Sequence, residues 1–168
     1  MANTVNRKAT LATAVGAAVA AAAIAFTAPK EGVSLVPYRD ALARNVQTVC
    51  FGETNVEMRR YTLPECTDML DTSLAGYAQA VKDATPGFEQ LSVGQQVSAI
   101  DLAYNIGLAN YRASTLRKLY VARDFPAACD QFLRWRFVAG KDCAIAANRC
   151  SGIVKRREAE RAACRGEG

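Results

Sequence analysis

The sequence predicts an α+β fold: a mainly helical domain with a small β-sheet near its N-terminal end, preceded by a weakly hydrophobic N-terminal helix. Three observations lead there. Two Ser/Thr-x-x-Glu/Gln capping boxes, at Thr62–Glu65 and Ser92–Gln95, each open a run of apolar residues at helical spacing. Between Val46 and Tyr61 that periodicity fails, and Gly52, Thr54 and Asn55 suit strands and turns. Ahead of both lies an uncharged, alanine-rich stretch from Ala9 to Pro29.

That stretch is 21 residues long, and at about 1.5 Å per residue it just crosses a bilayer core of roughly 30 Å as a helix. Eleven of its residues are Ala; the strongly apolar ones are Leu11, Val15, Val19, Ile24 and Phe26. Arg7 and Lys8 precede it without an acid, which keeps the N-terminus cytoplasmic and sends the chain after Pro29 across the membrane. Three readings compete. A cleavable signal peptide would use Ala23-Ile24-Ala25 as its small-x-small site. A permanent anchor is disfavoured, because Ala, Gly and Thr give little insertion energy. The third is an export signal that first inserts and later leaves the bilayer to join a soluble fold. The division expected is therefore residues 1–29 as this segment and residues 30–168 as one domain of ordinary size.

Within the domain, Thr62-Leu63-Pro64-Glu65 starts a helix reaching about Lys82, with Cys66, Met69, Leu70, Leu74 and Ala78 on one stripe. Thr85-Pro86-Gly87 breaks it. Ser92 caps a largely buried helix carrying Val97, Ile100, Leu102, Ala103 and Ile106, which Gly107 ends. Short helices follow from Ser114, from Asp124 with Pro126 in its first turn, and from Ser151 to about Cys164.

The chain has no histidine, which removes Ser-His triads, Cys-His pairs and most zinc sites. All six cysteines follow the export segment, and in an exported chain an even number without CxxC pairs reads as three disulfides. The net charge of +5 comes largely from arginines and lysines in the C-terminal third. A solvated helix face accounts for most of them; for an exported protein the polyanion they would meet is the cell envelope rather than nucleic acid.

Glu31 and Asp40 stand nine residues apart, flanking what reads as a turn before the sheet. Glycosidic hydrolysis needs one protonated carboxylic acid at the leaving oxygen and one ionised carboxylate at the sugar face. Two acids alone are a weak signal, because structural caps and exposed charges are the default reading. The surrounding pattern is more specific. Glu31-Gly32, then Pro37-Tyr38-Arg39-Asp40, then Thr48-Val49-Cys50-Phe51-Gly52-Glu53-Thr54 resembles the phage-type lysozyme family, glycoside hydrolase family 24. Ala103-Tyr104-Asn105-Ile106-Gly107, Tyr111 to Leu116, Arg134-Trp135 and Gly152 to Glu160 continue the likeness in sequence order to the chain's end. With the export segment included, the chain is most similar to signal-anchor-release endolysins of lambdoid-type phages, in which an N-terminal helix tethers an inactive enzyme until it leaves the membrane.

The resemblance implies a muramidase that needs no cofactor and no metal. Glu31 would be the general acid, Asp40 the ionised partner that stabilises the transition state or activates water, and Thr48 the hydroxyl that holds this water. Arg156 or Arg157 would support Glu31, with exposed helix charge as the alternative reading of both. Tyr104, Asn105 and Thr115 are candidates for the sugar cleft; Tyr104 and Asn105 equally suit a core aromatic and a helix-end hydrogen bonder. The disulfides expected are Cys50–Cys66, Cys129–Cys164 and Cys143–Cys150. The partners implied are peptidoglycan and, through residues 9–29 before release, the inner membrane; the protein would be a monomer in the host periplasm that binds no nucleic acid. Two features depart from the family pattern: the Asp40–Thr48 interval is longer, and Glu53 stands where a His is common. The Cys143–Cys150 insert has no counterpart in the simplest members. The rival readings are a lytic transglycosylase, which leaves anhydro-sugar ends, and a non-enzymatic envelope-binding protein on the same scaffold.

Overall fold

Helix formation begins at Leu11. The computed structural model describes residues 10–40 and 45–167, so Arg7, Lys8 and Ala9 and most of the turn after Asp40 lie outside the described residues. The chain forms two units, Met1–Gly76 and Tyr77–Gly168, and helix α3 (Leu63–Ala84) runs through the boundary.

In the first unit, Thr10 caps α1 (Leu11–Val15) through a reciprocal box with Thr13. Gly16, at φ +85°, ends α1 and starts α2 (Ala17–Glu31). A non-glycine residue rarely takes that φ, so the uncharged stretch folds as two helices rather than one. Among the described residues no helix is long and apolar enough to cross a membrane. Leu11, Val19, Ala20, Ala23 and Thr27 are buried, and the Leu11 N–H donates to Asp71 Oδ2 on α3 at 3.2 Å.

Residues Ser34–Asp40 form strand β1, paired antiparallel with β2 (Val46–Cys50). The expectation of a turn here is corrected: the segment between the two carboxylates is itself a strand. Pro37 hides it in the sequence, because proline cannot donate to a ladder. The structure places Pro37 in an irregularity between the Ser34–Cys50 and Tyr38–Thr48 pairs, where no ladder donor is needed. A Cys50–Cys66 disulfide ties β2 to α3, whose stripe Cys66, Leu70, Leu74 and Ala78 is fully buried.

The second unit is built around α4 (Val93–Ile106) and α8 (Ser151–Arg165). Ser92 caps α4 with its hydroxyl while Gln95 returns the bond. Gly94 lets the two helices meet: a Cβ there would lie 2.0 Å from the Ala163 carbonyl oxygen. Shorter helices α5 (Leu108–Ala113), α6 (Thr115–Val121) and α7 (Phe125–Asp130) complete the unit, the last two capped by Ser114 and Asp124. Ile100, Leu102, Tyr111, Leu116 and Phe132 are buried, each contributing roughly 1.5–3 kcal/mol. Tyr111 shares a hydrogen bond with Thr85 at 2.9 Å, which satisfies two buried hydroxyls.

A second sheet, absent from the sequence expectation, is the ribbon β3 (Phe137–Val138) and β4 (Lys141–Asp142). Ala139 and Gly140, both at positive φ, make its two-residue turn. The disulfides Cys129–Cys164 and Cys143–Cys150 lie in this unit.

Candidate active site

The three residues expected to carry the chemistry all lie in the first unit, on three successive elements. Glu31 is the last residue of α2, and Gly32 at φ +68° turns the chain out of the helix into β1. Glu31 is partly exposed, with its Oε1 shielded from solvent. Asp40 is the last residue of β1 and Thr48 the third of β2.

The register relates the two strand residues. Asp40 pairs with Val46 and Tyr38 with Thr48. Opposed residues share a face and alternate residues return to it, so Asp40 and Thr48 are diagonal neighbours on one face of the ladder. Tyr38, exposed, lies directly opposite Thr48 on that face. The backbone closes just beyond: the Asn45 N–H donates to the Asp40 carbonyl at 2.8 Å, and Asn45 takes φ +58°. Thr48 is buried, and its hydroxyl donates to the Val46 carbonyl at 3.2 Å. With its proton so directed, Thr48 Oγ1 has lone pairs left to accept from a water.

Glu53, at the position where the expectation gave no role, pairs through its backbone with Val49 and accepts from Ser73 Oγ on α3 at 3.0 Å. It belongs to a surface cavity of about 480 Å³ that also includes Arg59, Tyr61 and Glu65 and none of the three candidate residues.

The second unit holds the other candidates. Tyr104 and Asn105 lie in the last turn of α4, and Thr115 opens α6, exposed. The Tyr104 ring stands edge-on to Tyr77, centroids 5.2 Å apart. Arg156 and Arg157 are not exposed helix charges: they are 7% and 0% exposed. Arg156 makes a bidentate pair with the buried Asp101, at 2.9 and 3.0 Å. Arg157 Nη2 donates to Asn105 Oδ1 at 2.8 Å and meets Glu160 at 3.0 Å. The bond fixes the Asn105 amide, turning its NH₂ edge away from Arg157 as a donor. Burial pushes the Glu160 carboxyl well above its ordinary value, opposed by Arg157 beside it.

Asp101 and Glu160 were not singled out in the sequence. The signal was present at Asp101, a lone acid inside the apolar run Ala99-Ile100-Asp101-Leu102-Ala103, which burial would leave needing a cation. At Glu160 it was masked by Glu158 and Arg161 on either side, which make the helix read as solvated.

Residues 28–160 match the phage lysozyme family model. The SAR-endolysin of Enterobacteria phage P21 is 33% identical over 168 aligned residues, covering 94% of each chain. The SAR-endolysin of Enterobacteria phage PA-2 is 34% identical over 167, again 94% of each. Among solved structures, a mutant of P22 lysozyme superposes with a TM-score of 0.69 at 25% identity, over 84% of this chain and 94% of that one. The chain therefore belongs to the phage lysozyme family. It is a glycosidase, and its substrate class is peptidoglycan.

Proposed function

We propose that the protein is a phage endolysin that hydrolyses the β-1,4 bond between N-acetylmuramic acid and N-acetylglucosamine and so lyses the host cell. The observation that carries the reading is the placement of Asp40 and Thr48 on one face of a two-stranded ladder that follows directly from the helix-terminal Glu31. Family membership supplies the reaction class.

Glu31 delivers a proton to the glycosidic oxygen as the bond to the muramic acid carbon breaks. A water donating one hydrogen to Asp40 and the other to Thr48 Oγ1 presents its lone pair to the carbon, and Asp40 takes the proton as the new bond forms. The same reading assigns Tyr104, Asn105 and Thr115 to the saccharide and Arg156 or Arg157 to support of the acid.

Residues 1–29 act as a signal-anchor-release segment and residues 30–168 as the catalytic domain. The segment carries the enzyme into the host periplasm, holds it at the inner membrane, and then leaves the bilayer as α1 and α2. Relatives named for that behaviour aligned along 94% of this chain support this. So does the weak apolarity of the segment. The released protein acts as a monomer without nucleic acid or cofactor.

Mass spectrometry of purified cell wall after digestion tests the chemistry. Hydrated reducing ends on N-acetylmuramic acid are expected. Anhydro ends would make the protein a lytic transglycosylase, and the absence of new ends a wall-binding protein only.

A further inference from the structure

We propose that the ribbon β3–β4 and the disulfide loop after it form a docking surface for an anionic lipid bilayer. The surface includes none of the residues assigned above to the wall-cleaving site, and it answers a question the lysozyme reaction leaves open, namely what the Cys143–Cys150 insert does.

Three large apolar side chains in this short stretch face solvent: Phe137, Val138 and Ile145, at 58, 45 and 55% exposure. Ala139, Ala144, Ala146 and Ala147 are exposed beside them. Scattered exposed apolar residues need no explanation, but three so close along one ribbon and the loop after it do. Its charges are one-sided. Lys141 and Arg149 are exposed, and the sole acid between residues 137 and 152 is Asp142. That carboxylate is fully engaged, accepting two bonds from Arg136 at 2.9 and 3.0 Å and one from the Ala144 N–H at 2.9 Å. Solvent therefore meets apolar surface and positive charge together.

The surface is also built to stay in shape. Asn148 Nδ2 donates to the Asp142 carbonyl at 2.7 Å, Cys143 N–H to the Arg136 carbonyl at 3.0 Å, and the Cys143–Cys150 disulfide closes the loop. Little ordering remains to be lost when it binds.

The chemistry selects the occupant. A saccharide needs side-chain donors and acceptors aimed at its hydroxyls, and here Asn148, Asp142 and Arg136 are spent within the loop. A second copy of the same surface would oppose cation to cation, which disfavours self-association. A bilayer rich in anionic headgroups meets both features: the apolar side chains enter the interface, and Lys141 and Arg149 remain at the phosphates.

The test uses the full chain and vesicles of phosphatidylcholine with or without a third of phosphatidylglycerol, in a sedimentation assay. The alanine-rich segment is common to all variants, so differences between them report the ribbon alone. Lys141→Gln with Arg149→Gln should weaken binding to the anionic vesicles roughly thirtyfold, about fivefold per cation with some gain from both. Raised salt should reduce that difference. Phe137→Ser with Ile145→Ser should weaken it at least tenfold. Both double variants should cleave lipid-free cell wall as fast as the parent, which excludes misfolding as the cause. Unchanged partitioning of either variant onto anionic vesicles overturns the proposal. So does loss of binding to lipid-free wall with vesicle binding intact, which would make the ribbon a wall-binding surface.

Discussion

Thr48 is the residue whose place is most closely defined by its surroundings. Its proton is committed to Val46, it is diagonal to Asp40, and it is buried. In the proposed mechanism its part is to accept a hydrogen from the attacking water, a single neutral bond, whereas Glu31 and Asp40 move protons and charge. Glu31→Gln, nearly isosteric but without a proton to give, should lower cell-wall hydrolysis by at least about 10²–10⁴-fold with an unchanged unfolding midpoint. Asp40→Asn should be comparably severe. Thr48→Ala should lose less, on the order of 10–100-fold, since one neutral hydrogen bond is removed. Near-normal turnover by the Glu31→Gln protein, measured as wall turbidity loss, would sink the assignment. All three candidates come from the order and the neighbours of a local sequence pattern. The burial of Arg156 and Arg157 was not, since helix periodicity cannot tell a cation facing water from one facing a buried acid 55 residues earlier. The same network gives a stability prediction. Glu160→Leu leaves Arg157 buried without its carboxylate and should cost about 3–5 kcal/mol in urea unfolding.

At the scale of elements, what the sequence shows best is where helices begin. Thr62 and Glu65 close their box in the fold, the Thr62 N–H donating to Glu65 Oε2 at 2.7 Å and the Glu65 N–H to Thr62 Oγ1 at 3.4 Å. Capping is a local contest among four residues and needs no tertiary information. The Arg59 guanidinium, then the Thr62 backbone and hydroxyl, lower the Glu65 carboxyl from 4.5 to about 2. A carboxyl lowered on folding stabilises above its unfolded value and loses that contribution as pH falls through its folded one. The start of α3 should therefore loosen between about pH 4.5 and 2, seen as faster amide exchange at Thr62 to Cys66, while the Ser92–Gln95 box, which has no titrating group, stays constant. The strands and the close helix contact were harder to see. Pro37 conceals β1, and Ala139-Gly140 is a weak turn signal for the second ribbon. Gly94 looks like any helix-first-turn glycine until α8 is known to lie against it. Gly94→Ala should drive a methyl group into the Ala163 main chain, costing about 3 kcal/mol or more and lowering Tm by roughly 6–12 °C. A Tm within a degree of the parent would show that α4 and α8 do not pack so closely.

At the scale of the whole chain, the proposed release mechanism requires one stretch of sequence to satisfy two solvents. Ala is the best helix former and only weakly committed to lipid, so Ala9–Pro29 can leave a bilayer where a Leu-rich segment would stay. The two roles make different demands on single positions. Ala20 and Ala23 are buried in the folded protein, whereas Ala18, Ala21 and Ala25 are exposed. Leucine at Ala20 or Ala23 would overpack the released fold, so a loss of activity there would not identify the cause. Leucine at Ala18, Ala21 and Ala25 leaves that packing untouched and adds roughly 0.5 kcal/mol of insertion energy at each, about 1.5 kcal/mol in all. The triple variant should therefore release from inner-membrane vesicles about tenfold less readily than the parent, and lysis of cells should be delayed accordingly. Prepared in detergent-free soluble form, it should cleave isolated wall at the parental rate, because the buried face of α2 is the same. Equal release from membranes by variant and parent would refute control by the segment's insertion energy, as would a mature protein found cut after Ala25.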